Sequence, residues 1–264
     1  MPITKPYPLT IRQFSDGEYS EGGRWQYIRH IDYSHKPSNY IRSYLLIQDD
    51  LIDLFKYVEP SDDSLKTYSF RIQELFIRTC IEIEANFKAI FSMNTYTPKG
   101  RLSIEDYYLI NTSHYLSSYM VKLPYWSGDQ ITAMRQPFRA WGEPKNVCKP
   151  WNLPWYQDYN AVKHDRANSL HLANLENLID AYCGLVAVIT SQYLFEGFSP
   201  APEYLALNSG WNDGFESAIG DYFRVRIPQH VPEDERYNFN WDELGKSEAP
   251  FQKFDYDAVK EMNK

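Results

Sequence analysis

Apolar positions recur at steps of three and four along three long stretches of the chain and lose that period between them. Tyr44, Leu45, Ile47, Leu51, Ile52, Leu54, Phe55 and Val58 form a broad stripe that predicts a helix over residues 39–59. Pro60 closes it, and Ser61, Asp62, Asp63 and Ser64 supply capping side chains for a second helix over 64–91. That helix has the strongest period, with Ile72, Leu75, Phe76, Thr79, Cys80, Ile83, Phe87, Ile90 and Phe91 on one side. Its polar residues are ordered too: Glu74, Arg78 and Glu82 stand four apart, as do Glu84 and Lys88. A third long helix is expected over 173–195, with Asn174 as N-cap and Gly197 as stop.

Elsewhere the pattern is shorter. Residues 155–168 read as a short helix and 1–38 as irregular chain. Over 101–154 a short helix fits 104–110, and 115–123 and 131–139 alternate loosely around Ser127, Gly128 and Asp129, which predicts a β-hairpin. After residue 199 the extended candidates are 222–227 and 237–241. The fold expected is mainly all-α: an antiparallel helical bundle with an irregular, hairpin-containing insertion over 94–154 and a small extended C-terminal tail over 199–264. The helical core would span 39–93 and 155–196, within one domain over 1–264.

Composition sharpens this picture in three places. Aromatic residues make up 16% of the chain, with 22 Tyr and 7 Trp, so semi-polar packing under long loops is expected. The net charge of −8 excludes a protein that coats nucleic acid over its whole surface. Residues 135–166 nonetheless hold six Lys/Arg against three acids, an island suited to a phosphate-bearing ligand, whereas 233–264 hold nine acids against five bases. Cys80, Cys148 and Cys183 show no disulfide or zinc spacing. The N-terminus has no apolar leader and no stretch is apolar enough to span a membrane, so a cytoplasmic protein without a membrane partner is expected. Asp49, Asp50 and Asp53 read as a solvated face, with no metal and no cofactor implied.

Candidate chemistry concentrates in the short helix. Tyr156, Asn160, Lys163, His164 and Ala167 would share one face, with Tyr159, Val162 and Arg166 beside it. Lys163 and Arg166 suit a phosphate, His164 suits proton transfer, and Asn160 would orient either. The plain alternative is a buried polar network that fixes helix register. Glu84 and Lys88 border an apolar stripe and are expected beside Lys163 or His164, with Glu82 near; a buried carboxylate would hold the His164 ring and favour its charged form. Phe138, Trp141, Trp151, Trp155 and Tyr156, among Arg135, Arg139, Lys145 and Lys149, would either stack bases or pack the insertion onto the bundle.

The run Trp155-Tyr156-Gln157-Asp158-Tyr159-Asn160-Ala161-Val162-Lys163-His164-Asp165-Arg166 resembles the signature of a bacterial group of HEPN-like proteins (higher eukaryote and prokaryote nucleotide-binding). The segment from Arg78 to Lys88 is similar to that group's companion helix, and Tyr237-Asn238-Phe239-Asn240-Trp241 to its tail. The resemblance implies a helical bundle, a homodimer, an RNA or nucleotide ligand, and a protein partner such as a cognate antitoxin. It also implies metal-independent endoribonuclease activity of a toxin or phage-defence type. His164 carries over as its catalytic histidine, with Asn160 and Arg166 beside it. Lys163, Arg166, Tyr156, Tyr159 and Arg78 would contact ligand, and Glu84, Lys88 and Glu82 would support them. The motif's arginine does not carry over, because Gln157, Asp158 and Tyr159 stand where it would precede the histidine.

Overall fold

In the computed structural model, which describes residues 2–17, 24–144, 149, 152–195 and 214–262, the three long stripes become helices that bury them against one another. After a 3-10 turn at Arg24–Arg29, α1 spans Pro37–Leu54, with proline in the first turn, where its missing N–H is harmless. It stops short of residue 59, and the chain passes through turns to Val58. The second helix, α2, spans Phe70–Met93. Its cap is Ser69, whose Oγ accepts from the Ile72 N–H at 3.1 Å, and not the 61–64 run, which forms its own turn. Two short helices follow, α3 (Ile104–Tyr107) and α4 (Ile110–His114), where one was expected.

Next come β1 (Met120–Lys122) and β2 (Met134–Arg135), then α5 (Pro154–His164) and α6 (Arg166–Ser169). The last long helix, α7, spans Leu175–Tyr193, and Asn174 caps it by accepting from the Asn177 N–H at 3.0 Å. Gly197 and Cys148 lie outside the described residues. The tail holds β3 (Glu216–Ser217), β4 (Arg224–Arg226), α8 (Trp241–Leu244) and α9 (Tyr256–Met262).

The helices α1, α2, α5 and α7 alternate in direction along the chain. Ser43 on α1 meets Glu82 on α2 and Arg78 meets Asp50, while Tyr156 on α5 meets Glu84 and Asp158 meets Asn177 on α7. The bundle's closest pair is α2 with α7, and these run the same way, Thr67 joining Leu175 below and Asn86 joining Gln192 above. Gly184 sits in that contact: Ile83 Cδ1 and the Phe138 ring lie 3.5 Å from where a Cβ would stand, which leaves no room beyond a methyl group. Cys80 and Cys183 are buried free thiols in the same core.

The hairpin forms as the alternation predicts, but it belongs to a larger sheet. The strand order is β2-β1-β4-β3, all antiparallel, with Val121 facing Arg135 on one side and Val225 on the other. Insertion and tail therefore complete one sheet. At the other end Tyr237 bridges in parallel to Ile3 and Phe14, whereas Trp241, expected in extended chain, opens α8. Arg12, 2% exposed, pins these outer layers together. Among the described residues no helix is long and apolar enough to cross a membrane.

Candidate functional site

The run from Asn160 to Arg166 is not one helix. At Asp165 the backbone leaves the helical region (φ −140°, ψ 68°), and the Asp165 carboxylate turns back to cap the next helix at the Asn168 N–H and side-chain amide. His164 therefore ends α5 and Arg166 opens α6, which corrects the expectation of a single continuous face.

The break divides the candidate residues into two groups. The first lies between α5 and α2, its tyrosines buried and its lysines open to solvent. Tyr156, 5% exposed, donates its hydroxyl to Glu84 Oε1 at 3.0 Å. The Lys163 ammonium donates to Tyr159 Oη at 3.0 Å, stands 4.9 Å from the centre of that ring, and lies 4.0 Å from Glu84 Oε1. Lys88 reaches Glu84 Oε2 at 3.4 Å. Burial, and then the Glu84 charge, raise the pKa values of both tyrosines. Both phenols stay protonated, as a structural network requires. Tyr156 and Tyr159 are thus buried supports and not surface ligand contacts, and Glu84 serves Tyr156 and the two lysines, not His164.

The second group is exposed. His164 makes no side-chain hydrogen bond or ion pair with the described residues, nor does half-buried Asn160. The Arg166 guanidinium, also exposed, lies 5.9 Å from the ring centre of Phe70, itself open to solvent. The imidazole and the guanidinium thus stand exposed on either side of the α5–α6 break, with the half-buried Asn160 amide one turn earlier on α5.

Arg78 and Glu82 do not join either group. Arg78 pairs with Asp50 and also donates to the Leu46 carbonyl at 3.3 Å, both on α1. Glu82 accepts from Ser43 Oγ at 2.7 Å and from the Asn86 amide at 3.1 Å, and burial raises its pKa against those two bonds. A two-residue step along α2 turns the side chain from α5 toward α1, so Glu82 and Glu84 serve different interfaces.

The aromatic loop packs instead of stacking bases. Phe138, Trp141 and Trp155 are buried, and Trp155 Nε1 donates to the Pro137 carbonyl at 3.0 Å. Trp151 and Lys145 lie outside the described residues. Arg135 is turned inward, 3.3 Å from Asp180 on α7. Asp180 went unnoticed in the sequence, although an acid between Ile179 and Ala181 in so apolar a helix was a usable signal. Among the described residues no cluster of His, Cys, Asp and Glu is arranged to hold a metal ion. No family model, curated protein or solved structure matches the chain.

Glu84→Ala is expected to lower stability by about 1–2 kcal/mol, because it leaves the buried Tyr156 hydroxyl without its acceptor while the two ammonium groups stay in reach of water. An exposed i,i+4 pair would change it by only about 0.3–0.5 kcal/mol. Urea unfolding distinguishes the two: a midpoint within error of wild type would mean that Glu84 does not hold α5 to α2.

Proposed function

We propose that the chain binds single-stranded RNA by its phosphate backbone at the exposed turn from α5 into α6. Asn160, His164 and Arg166 make the contacts, and Lys163 adds positive charge from below. The observation that carries this reading is that the His164 imidazole and the Arg166 guanidinium are both exposed on either side of the α5–α6 break, with the Lys163 ammonium one residue before them. The likeness to HEPN-like proteins supports the same ligand class, and an exposed turn suits a polymer's backbone better than an enclosed mononucleotide.

The reading extends to cleavage without a metal. Attack of a ribose 2′-hydroxyl on the adjacent phosphorus forms the P–O2′ bond and breaks P–O5′, so one group takes the hydroxyl proton and another protonates the leaving oxygen. His164 supplies one of these, and His164 of a second copy supplies the other in a homodimer that brings the two turns together.

The test is a titration of labelled single-stranded RNA, followed by anisotropy in EDTA at about 50 and 200 mM salt. His164→Asn combined with Arg166→Gln is expected to weaken binding about tenfold and flatten the salt dependence, with melting unchanged because both side chains are exposed. Equal affinities for wild type and variant would refute the assignment. Cleavage products from wild type that disappear with His164→Ala would establish the catalytic extension.

A further inference from the structure

At the opposite end of α5, about 15 Å along the helix axis from the RNA-binding turn, the bundle opens into a cleft of about 650 Å³. That is within the size range of small-molecule sites. Apolar groups from the hairpin and from the start of α5 line it, among them Met120, Ile131, Met134 and Trp155. Two neutral ion pairs lie in its wall, the exposed Arg139 with Glu143 and the more enclosed Arg135 with Asp180.

The Arg135–Asp180 pair is incompletely used on both sides. Arg135, with 12% of its side chain exposed, offers Nη1 to Asp180 Oδ1 at 3.3 Å. Its Nε and Nη2 are buried with no hydrogen-bond acceptor. Those two nitrogens form one edge of the guanidinium, on which two parallel N–H groups match the two oxygens of a carboxylate. The ring of Trp126 lies 5.7 Å from the guanidinium carbon. Asp180 keeps 27% of its side chain exposed, with only Arg135 as an ion-pair partner among the described residues. Burial pushes its carboxyl up to about 6, with Arg135 drawing it down and Glu176 adding to the rise.

We propose that this cleft binds a small zwitterion of the amino-acid type, its carboxylate on the free edge of Arg135, its ammonium on Asp180 and its apolar side chain among Met120, Ile131, Met134 and Trp155. Charge balance favours a zwitterion over a simple anion. The protein pair is neutral, and a lone anion placed on Arg135 would stand against the Asp180 carboxylate. Neighbouring side chains cover the free nitrogens in the empty cleft, so the guanidinium turns toward the ligand as it binds. The site shares no residue with the RNA-binding turn, so either assignment can fail without the other.

Ligand-observed NMR on the intact protein tests it with four probes: phenylalanine, phenylalanine amide, N-acetylphenylalanine and 3-phenylpropionate. Free phenylalanine is expected to saturate, and the three analogues, each lacking one charge, to bind at least about tenfold more weakly, the loss of a charge-assisted contact. Asp180→Asn should lose the preference for phenylalanine over 3-phenylpropionate, and Arg135→Lys should lose the preference over the amide. Equal binding of 3-phenylpropionate and phenylalanine by wild type would overturn the proposal, as would no binding of phenylalanine at millimolar concentration. The wild-type comparison decides even if a variant fails to fold.

Discussion

Replacing Arg12 with leucine is expected to lower the unfolding free energy by about 3–5 kcal/mol, because three backbone carbonyls lose their donor at once. Its Nη1 donates to both the Glu235 carbonyl and the Glu235 carboxylate at 3.1 Å. Nε reaches the Ser113 carbonyl at 3.3 Å and Nη2 the Thr112 carbonyl at 3.4 Å. The guanidinium also lies 5.4 Å from the ring centres of Tyr7 and Tyr115 and 5.8 Å from that of Phe254. Four separate segments therefore meet on one side chain: the N-terminus, the end of α4, the acidic turn at Glu233–Glu235 and the approach to α9. The exposed Glu235 carboxylate contributes least, and most of the loss comes from backbone carbonyls left without a donor in the interior. Arg12→Lys should recover only part of it, because one ammonium cannot reach this spread of acceptors. A melting temperature lowered by roughly 10 °C is expected for a loss of this size. A change of less than about 2 °C would show that the outer layers hold to the bundle without Arg12.

Acid should destabilise the protein through His114 before it titrates the ordinary carboxylates. The ring is 1% exposed. Nε2 donates to the Leu9 carbonyl at 2.8 Å, and Nδ1 lies 2.7 Å from Ser113 Oγ, which also reaches the Ile110 carbonyl at 3.1 Å. Ser113 Oγ in turn lies 2.5 Å from Tyr256 Oη. Burial lowers its pKa to about 4, partly opposed by the Leu9 bond, and the Arg12 charge lowers it further. The unfolded chain, with an ordinary histidine, binds the proton first as pH falls. The stability from neutral His114 is therefore complete above about pH 6.5 and lost as pH drops toward 4, by about 3 kcal/mol in all. Asp180 works in the opposite sense across an overlapping window, because its folded-state pKa is raised to about 6. The two are separated by comparing wild type with His114→Gln at each pH, where the Asp180 contribution cancels. The stability difference between the two proteins should shrink by about 3 kcal/mol from pH 7 to pH 4. A difference constant with pH would mean that the fold does not hold the His114 ring in its neutral form.

The long helices were legible because a 3.6-residue period repeated over 18, 24 and 19 residues leaves little ambiguity about which face is buried. Features governed by single side chains were less legible. Ser69 and the 61–64 run are equally good caps by composition, and tertiary packing selects between them. Asp165 has the same side-chain chemistry inside a helix as at a cap, so the α5–α6 break was hidden. The pairing of β1 with β4 joins residues 120 and 226, too remote for three-residue strands to announce. Within the candidate site, the sequence brought Glu84 correctly to Lys163. It could not show that the run's tyrosines turn inward while His164 turns out, since that depends on where α5 stops. Arg12 left no local pattern because its partners lie about a hundred residues or more along the chain, whereas Asp180 shows only as an acid in an apolar helix, with nothing nearby to name Arg135 as its partner.

The most direct test of the RNA-binding account is photo-crosslinking of 4-thiouridine-substituted single-stranded RNA to the intact protein, with the modified peptides mapped by mass spectrometry. The account predicts crosslinks within residues 160–166, which disappear when His164 and Arg166 are both replaced. Crosslinks confined to other surfaces, or a pattern unchanged in the double variant, would contradict it.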